Sequence, residues 1–311
     1  MMHEQALAAP SGHLPRLSQA QLPLTCEITA IDEQGSLRQL AIPVERALTL
    51  YVDKQELVTL MTLGARPEWL TLGYLLNQGL IDSLEEVESV TVDWDVGAAA
   101  VKTVRGIAGL QERSARRVVT TGCGQGSVFA GLMDDIARLQ LPPQARISRQ
   151  QIHSLVNTIR LTESTYKSAG SVHACALFSL ARSEPQMLLF VEDVGRHNAL
   201  DTIAGWSALQ AIEAPLALYT TGRLTSEMVI KSAQMGVPFA ISRSGITQMG
   251  HQVAQQVGLC AIGRATAQRF LCFSQAQRLC MDGPGVPVAP FAQLAPVAPI
   301  TPRAALPQHQ G

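Results

Sequence analysis

A chain of 311 residues is long enough for roughly two domains with a buried core. Hydrophobic residues make up 47%, charged ones 16%, and the formal net charge is -1, which argues against attachment to nucleic acid or to a membrane through a broad basic face. No stretch approaches the ~18 uninterrupted apolar residues of a membrane span, and Met1 to Gln21 lacks the apolar centre of a signal peptide. The expectation is a cytoplasmic protein with neither nucleic acid nor membrane as partner, and any anion site must be local.

In chain order, residues 1–21 are polar and carry Pro10 and Pro15, which reads as a disordered tail. Residues 22–115 read as a β-rich N-terminal subdomain. Leu24–Ala30, Arg38–Val44, Leu48–Val52 and Glu56–Thr62 are short alternating or β-branched runs at close intervals, expected to form an antiparallel unit. Pro67 then opens a helix over Glu68–Gln78, with Trp69, Leu72, Leu75 and Leu76 at helical spacing and Gly79 placed to close it. Val87–Asp93 and Ala98–Val104 complete the unit as strands.

Residues 116–280 read as an α/β domain. It opens with a β-type run, Arg117–Thr120, followed by Thr121-Gly122-Cys123-Gly124-Gln125-Gly126 and an expected helix over Ser127–Gln140. Glycines on both sides of Cys123 let the backbone bend and let another molecule reach the sulfur. A helix beginning just after it would favour the thiolate. A glycine-rich turn with an idle cysteine is the other reading of the same residues. Farther on, Ser148 and Gln151 form a capping box that announces a helix over Arg149–Thr162. Strand-like runs (Ser171–Leu180, Met187–Val191, Pro215–Thr220, Val237–Ser242, Leu259–Gly263) then alternate with helix-like ones (His197–Leu209, Ser226–Met235, Thr247–Val257), the pattern of a largely parallel sheet. Residues 281–311, rich in Pro, Ala and Gln, read as a second disordered tail.

Six cysteines are scattered without a CxxC pair or a histidine cluster at ligand spacing, so neither a metal site nor a disulfide framework is expected. Cys175 and Cys260 sit in apolar runs and read as core residues.

In open α/β sheets ligands collect beyond the C-terminal strand ends. Three successive strand-to-helix turns there are polar: Glu192 to Asn198 with Arg196 and His197, Thr220 to Glu227 with Arg223, and Ser242 to Thr247 with Ser242 and Arg243. On one sheet edge these arginines would converge with helix N-termini on a phosphate or pyrophosphate. Taken singly, each arginine reads first as a solvated side chain, His197 as a structural histidine, and Glu227 as a first-turn capping acid. Asp193 and Asp201 are placed either to orient Arg196 or His197 or to cap. A fourth turn, Arg264 to Arg269, adds two more arginines, while neither a P-loop nor a strand-linked GxGxxG is present.

The motifs Thr121-Gly122-Cys123-Gly124, Gly170-Ser171-Val172-His173, Asp193-Val194-Gly195-Arg196-His197-Asn198-Ala199-Leu200-Asp201, Gly222-Arg223-Leu224-Thr225-Ser226-Glu227-Met228 and Ser242-Arg243-Ser244, in this order, resemble the FdhD family of formate dehydrogenase accessory sulfurtransferases. The resemblance runs from about Leu48 to Phe273. It implies a cytidine-deaminase-like three-layer α/β core with a mixed, largely parallel sheet beside the smaller β-rich subdomain, and a homodimer. It also implies a sulfur carrier that takes persulfide sulfur from a cysteine desulfurase and passes it to the molybdenum bis(molybdopterin guanine dinucleotide) cofactor for formate dehydrogenase. Under it Cys123 takes the persulfide position, and Arg264, Ala265, Thr266, Ala267, Gln268 and Arg269 match the cofactor-contacting segment, with Arg196, His197, Arg223, Ser242 and Arg243 alongside. The chain departs from the family at Ala267 and Gln268, where glycine is common, and at Gly126, where many members carry a second loop cysteine. One cysteine suffices for a persulfide. A chaperone that binds and delivers the guanine dinucleotide without transferring sulfur is the alternative, and a zinc deaminase is disfavoured by the lack of His-x-Glu and Pro-Cys-x-x-Cys.

Overall fold

The computed structural model describes residues 12–107, 109–110, 136, 139–212 and 215–281, with the backbone alone at 118–119 and 126–127. Its first part holds β1 (Arg16–Leu17), β2 (Thr25–Ile31), β3 (Leu37–Pro43), β4 (Arg46–Val52), β5 (Gln55–Thr62), α1 (Pro67–Asn77), β6 (Val87–Asp93) and β7 (Ala98–Thr103). A five-stranded sheet runs in the order β1-β6-β7-β4-β5, and β2 and β3 pair apart from it as an antiparallel ribbon. Alternation places Leu48, Leu50 and Val52 of β4 and Val90 and Val92 of β6 on the buried face, against Leu72 and Leu75 of α1. Asp53 and Lys54 turn β4 into β5 in the left-handed region, with φ of 47° and 72°. The Asp53 carboxylate locks that turn by accepting from Thr103 N at 2.9 Å and Thr103 Oγ1 at 2.5 Å.

Two expectations for this part need correction. The stretch read as a tail contributes β1, which pairs in parallel with β6. The same polar residues that suggested disorder bind it down, because Ser18 Oγ and Ala20 N both donate to Glu68 Oε1, at 2.6 and 2.9 Å. The unit is also mixed rather than antiparallel, since β7 pairs with β4 in parallel.

Beyond it, β8 (Val118–Val119) and β9 (Gly126–Ser127) pair antiparallel. Ser127 therefore belongs to a strand, where a helix start was expected, and most of the remaining helix expected up to Gln140 lies outside the described residues. Next come β10 (Ile147–Ser148), α2 (Arg149–Leu161), α3 (Thr165–Ala169), β11 (His173–Ser179), β12 (Gln186–Asp193), α4 (Arg196–Ala208), β13 (Leu216–Thr220), α5 (Ser226–Gln234), β14 (Phe239–Ser242), α6 (Gln248–Val257), β15 (Cys260–Gly263), β16 (Leu271–Cys272) and β17 (Leu279–Cys280). Ser148 caps α2 with the expected box: its hydroxyl accepts from Gln151 N, and Gln151 Oε1 accepts from Ser148 N, both at 3.0 Å.

The main sheet has six strands in the order β12-β11-β13-β14-β15-β16. It is mixed, and the largely parallel expectation fails: only β13–β14 and β14–β15 are parallel among its pairings. Hydrophobic alternation cannot report strand direction, and a hairpin between β11 and β12 replaces the crossover helix that parallel pairing demands. One sheet face buries Ala176, Phe190, Tyr219 and Ile241 against Ile152, Leu155 and Val156 of α2. The other buries Leu177, Leu189 and Leu218 against α4, and Ala240 and Ala261 against α5 and α6. The result is a three-layer mixed α/β core.

Glycines join the two parts. A Cβ on Gly73 of α1 would lie 1.7 Å from Asp201 O, and one on Gly205 of α4 would lie 2.0 Å from Trp69 O. The two helices therefore meet backbone to backbone, a contact open only to residues without a side chain.

Candidate ligand-binding site

Because β11 opposes both β12 and β13, strands β12 to β15 all run the same way. Their C-terminal turns fall on one edge, joined there by His173 at the start of β11. A cavity of about 720 Å³ opens at this edge. Its floor is Ala174, Phe190 and Tyr219 of the sheet; α2 contributes Val156, Ile159 and Arg160, and the α3 segment Ser164, Tyr166 and Lys167. Arg243 and Ser244 come from the turn after β14, and Ala265, Thr266 and Ala267 from the turn after β15. An apolar, aromatic floor below Arg160, Lys167 and Arg243 suits a ligand that couples a flat ring to negative charge.

Glu192 lines the same cavity, yet its carboxylate is already committed. Oε2 accepts from Thr165 N at 2.5 Å and Oε1 from Tyr166 N at 3.1 Å, so the side chain pins the first turn of α3 as a wall. His173 is half-buried; burial first, and then the guanidinium charges of Arg196 and Arg223, push its imidazole below the ordinary histidine value. It is held neutral at neutral pH. Tyr219 is shifted the opposite way, upward, chiefly by burial.

The expected site residues divide into three groups. Arg243, Ala265, Thr266 and Ala267 line the cavity. Arg264, Gln268, Arg269 and Arg223 are exposed and do not line it. Arg264 adopts φ 52° as the chain leaves β15, with its N–H bonded to Ser244 O at 2.5 Å, and Thr266 Oγ1 accepts from Arg269 N at 3.3 Å to close the turn. Arg196, His197 and Ser242 are buried and do not line the cavity. Ser242 Oγ donates to Gly222 O at 2.6 Å and accepts from Ser244 N at 2.9 Å, tying two turns together. Arg196 packs so tightly on Gly222 that a Cβ there would lie 2.9 Å from Arg196 Cδ. Cys123 lies outside the described residues, in sequence between β8 and β9.

His197 belongs to a buried charge network. Lys231, fully buried on α5, lies 2.9 Å from Asp201 and 3.3 Å from Glu227, whose other oxygen is 3.5 Å from His197 Nε2. Asn77 of α1 donates to Asp201 Oδ1 at 2.6 Å. Burial pushes the His197 imidazole down to about 3, against the pull of Glu227, so the ring is neutral. Glu227 is thus an ion-pair partner as well as a first-turn acid, and Asp201 pairs with Lys231 instead of orienting Arg196 or His197. Asp193, also buried, accepts from Thr62 Oγ1, Leu63 N, Gly195 N and Asn198 Nδ2 at 2.5 to 3.0 Å. It clamps the end of β5 to the start of α4, and burial raises its carboxyl to about 6 despite those donors.

Sequence reasoning missed the α2 and α3 contributions. Val156 and Ile159 lie on one apolar face of the helix expected over Arg149–Thr162, but periodicity does not say that part of that face lines a cavity instead of core, and nothing singled out Arg160. Cys175 and Cys260 are buried as expected. The Cys175 thiol is pushed up to about 12, chiefly by burial, and is chemically quiet. Among the described residues no group of three or more His, Cys, Asp or Glu side chains is placed to hold a metal ion, and no helix is long and apolar enough to cross a membrane.

The sequence profile of the FdhD/NarQ family matches residues 43–280. The chain is similar to the sulfur carrier protein FdhD of Bacillus subtilis, at 29% identity over 250 residues that cover 79% of this chain and 94% of that one. The sulfur carrier protein FdhD of Wolinella succinogenes is 26% identical over 255 residues, covering 80% and 87%. In fold it is similar to a crystal structure from Desulfotalea psychrophila, described as that of a candidate formate dehydrogenase accessory protein. The TM-score is 0.65 at 23% identity, over 83% of this chain and all of the other.

Proposed function

The chain belongs to the FdhD/NarQ family, and from that premise we propose that it is a sulfur carrier acting through a persulfide on Cys123. The Cys123 thiolate attacks the sulfane sulfur of a persulfide on a cysteine desulfurase, whose own cysteine leaves as thiolate. The terminal sulfur is then handed to the molybdenum bis(molybdopterin guanine dinucleotide) cofactor, the substrate of the transfer, as the S–S bond breaks and Cys123 leaves as thiolate; the cofactor goes on to formate dehydrogenase. A cytidine-deaminase-like architecture of the three-layer core is part of the same reading.

The observation that carries the substrate assignment is the 720 Å³ cavity, with Phe190 and Tyr219 in its floor and Arg160, Lys167 and Arg243 around it. Aromatic faces give a purine a stacking surface, and guanidinium groups pair with phosphate oxygens in bidentate fashion. Neutral His173 adds a donor and an acceptor without adding charge. The four buried hydrogen bonds to Asp193 and the Glu192 brace keep this edge rigid, so that a ligand meets it pre-organised.

The test is the Cys123→Ala variant, assayed for activation of formate dehydrogenase and for guanine nucleotide affinity. Activation is expected to be lost with affinity unchanged. Activation that persists would overturn the persulfide assignment. Wild-type protein that binds nucleotide but never gains sulfur would be a cofactor chaperone.

A further inference from the structure

We propose that Cys260 and Cys272 are a disulfide-forming pair that reacts with low-molecular-weight disulfides and, once joined, staples the base of the segment lining the cavity. The two Sγ atoms lie 3.8 Å apart on neighbouring antiparallel strands, β15 and β16. Both side chains point to the sheet face that carries α2. Cys260 is buried, whereas Cys272 is partly open. Between them the chain leaves the sheet, supplies Ala265, Thr266 and Ala267 to the cavity, and returns.

The geometry fits a two-step exchange. Cys272, the accessible member, attacks the incoming disulfide and takes half of it as a mixed disulfide, expelling the other half as thiolate. Cys260, already in contact, then attacks the Cys272 sulfur and expels the second half. Two protein thiols are oxidised to one disulfide, one small disulfide is reduced to two thiols, and the two protein thiol protons end on those products. The unequal surroundings assist this order: the hydrogen bond between the two thiols favours the Cys272 thiolate and raises the Cys260 thiol, which burial raises further.

Bonding requires the sulfurs to close from 3.8 Å to ~2.05 Å. Cys272 pairs in register with Ile262, so Cys260 stands diagonally across from it, and the strand must shift to complete the bond. β16 can make that shift, since it is a two-residue edge strand with a neighbour on one side only. Pulling its start toward β15 tightens residues 264–270, where Arg264 already holds a left-handed backbone. In a reducing compartment the bond would be transient, present while the ratio of disulfide to thiol is high.

The test uses the full chain, reduced, freed of reductant and incubated with oxidised glutathione, after which remaining thiols are alkylated and the protein is cut with trypsin. Cleavage at Arg264 and Arg269 separates the two cysteines. The expected product is peptide 244–264 joined to peptide 270–278, two hydrogens lighter than their sum and released by dithiothreitol. Hydrogen exchange at 265–269 should slow severalfold in the oxidised protein. In Cys260→Ser, glutathione should stay on Cys272 as a stable adduct. A stable glutathione adduct on Cys272 of the wild type, a link to the exposed Cys26 or Cys280 instead, or no change at either peptide would overturn the pairing. A bond that forms without slowing exchange would overturn the staple.

Discussion

Replacing Lys231 by methionine removes the one cation held between Asp201 and Glu227, at 2.9 and 3.3 Å, and leaves both carboxylates buried. Breaking a buried ion pair from one side costs about 3–5 kcal/mol, because the remaining charge has lost its partner and cannot reach water. The sign of the pH dependence follows from the same geometry. In the wild type Lys231 counters the desolvation that raises Asp201 and Glu227. Without it Asp201, already raised, rises further, and Glu227, which Lys231 holds below its ordinary value, is released upward, so both lie higher in the folded state than in the wild type while their unfolded values stay at about 4. A group whose folded value is raised keeps its stabilising contribution below the unfolded value and loses it as pH rises through the folded one. The variant is therefore expected to be less destabilised at pH 5 than at pH 8. Urea unfolding followed by circular dichroism at the two pH values measures this, and adding Asp201→Asn and Glu227→Gln should recover much of the loss. A loss under about 1 kcal/mol, or an equal loss at both pH values, would mean that the network is not both dry and charged.

Gly73→Ala should separate α1 from α4, since the new methyl would sit 1.7 Å from Asp201 O. Overpacking of this kind costs about 1–3 kcal/mol or more, readable as a lower thermal midpoint, whereas Gly35→Ala, with nothing near its Cβ, tests only backbone strain. His197 is pushed down to about 3 by burial, so its contribution is full above the unfolded value of about 6.5 and is lost as pH falls toward 3. His197→Gln should then lose less stability than the wild type between pH 7 and pH 4.5, and parallel pH profiles would contradict a buried neutral ring. Asp193, raised to about 6 by burial, acts in the opposite sense: its contribution is present below about 4 and lost as pH rises through 6. Arg243→Ala should weaken guanine nucleotide binding about tenfold or more, the size of one charge-assisted contact, while Arg269→Ala, outside the cavity, should leave titration calorimetry unchanged.

Element identity was readable wherever one residue pattern had one meaning. Ser148 and Gln151 announced α2, and Val87–Asp93 matches β6 residue for residue. The candidate edge was readable too, because Arg196, Arg223 and Arg243 each follow a strand of the same direction. Which of them lines the cavity was not. Arg196 is buried against Gly222 and Ser242 serves as a tie between turns, and both outcomes depend on packing partners twenty or more residues away in sequence. The same holds for the charge network: Glu227 and Lys231 pair at i,i+4 on one helix, but its third member, Asp201, comes from another helix thirty residues away. The β11–β12 hairpin misled the sheet reading because side-chain alternation is identical in parallel and antiparallel strands.

Radiolabelled sulfur follows the proposed passage from Cys123 to a cofactor held in the cavity. Protein loaded by a cysteine desulfurase and labelled cysteine should carry label on the Cys123 peptide, and the label should move to added guanine dinucleotide cofactor and leave the protein. Label that reaches the cofactor equally well through Cys123→Ala, or that stays on Cys123 when cofactor is bound, would show that sulfur does not travel by this route.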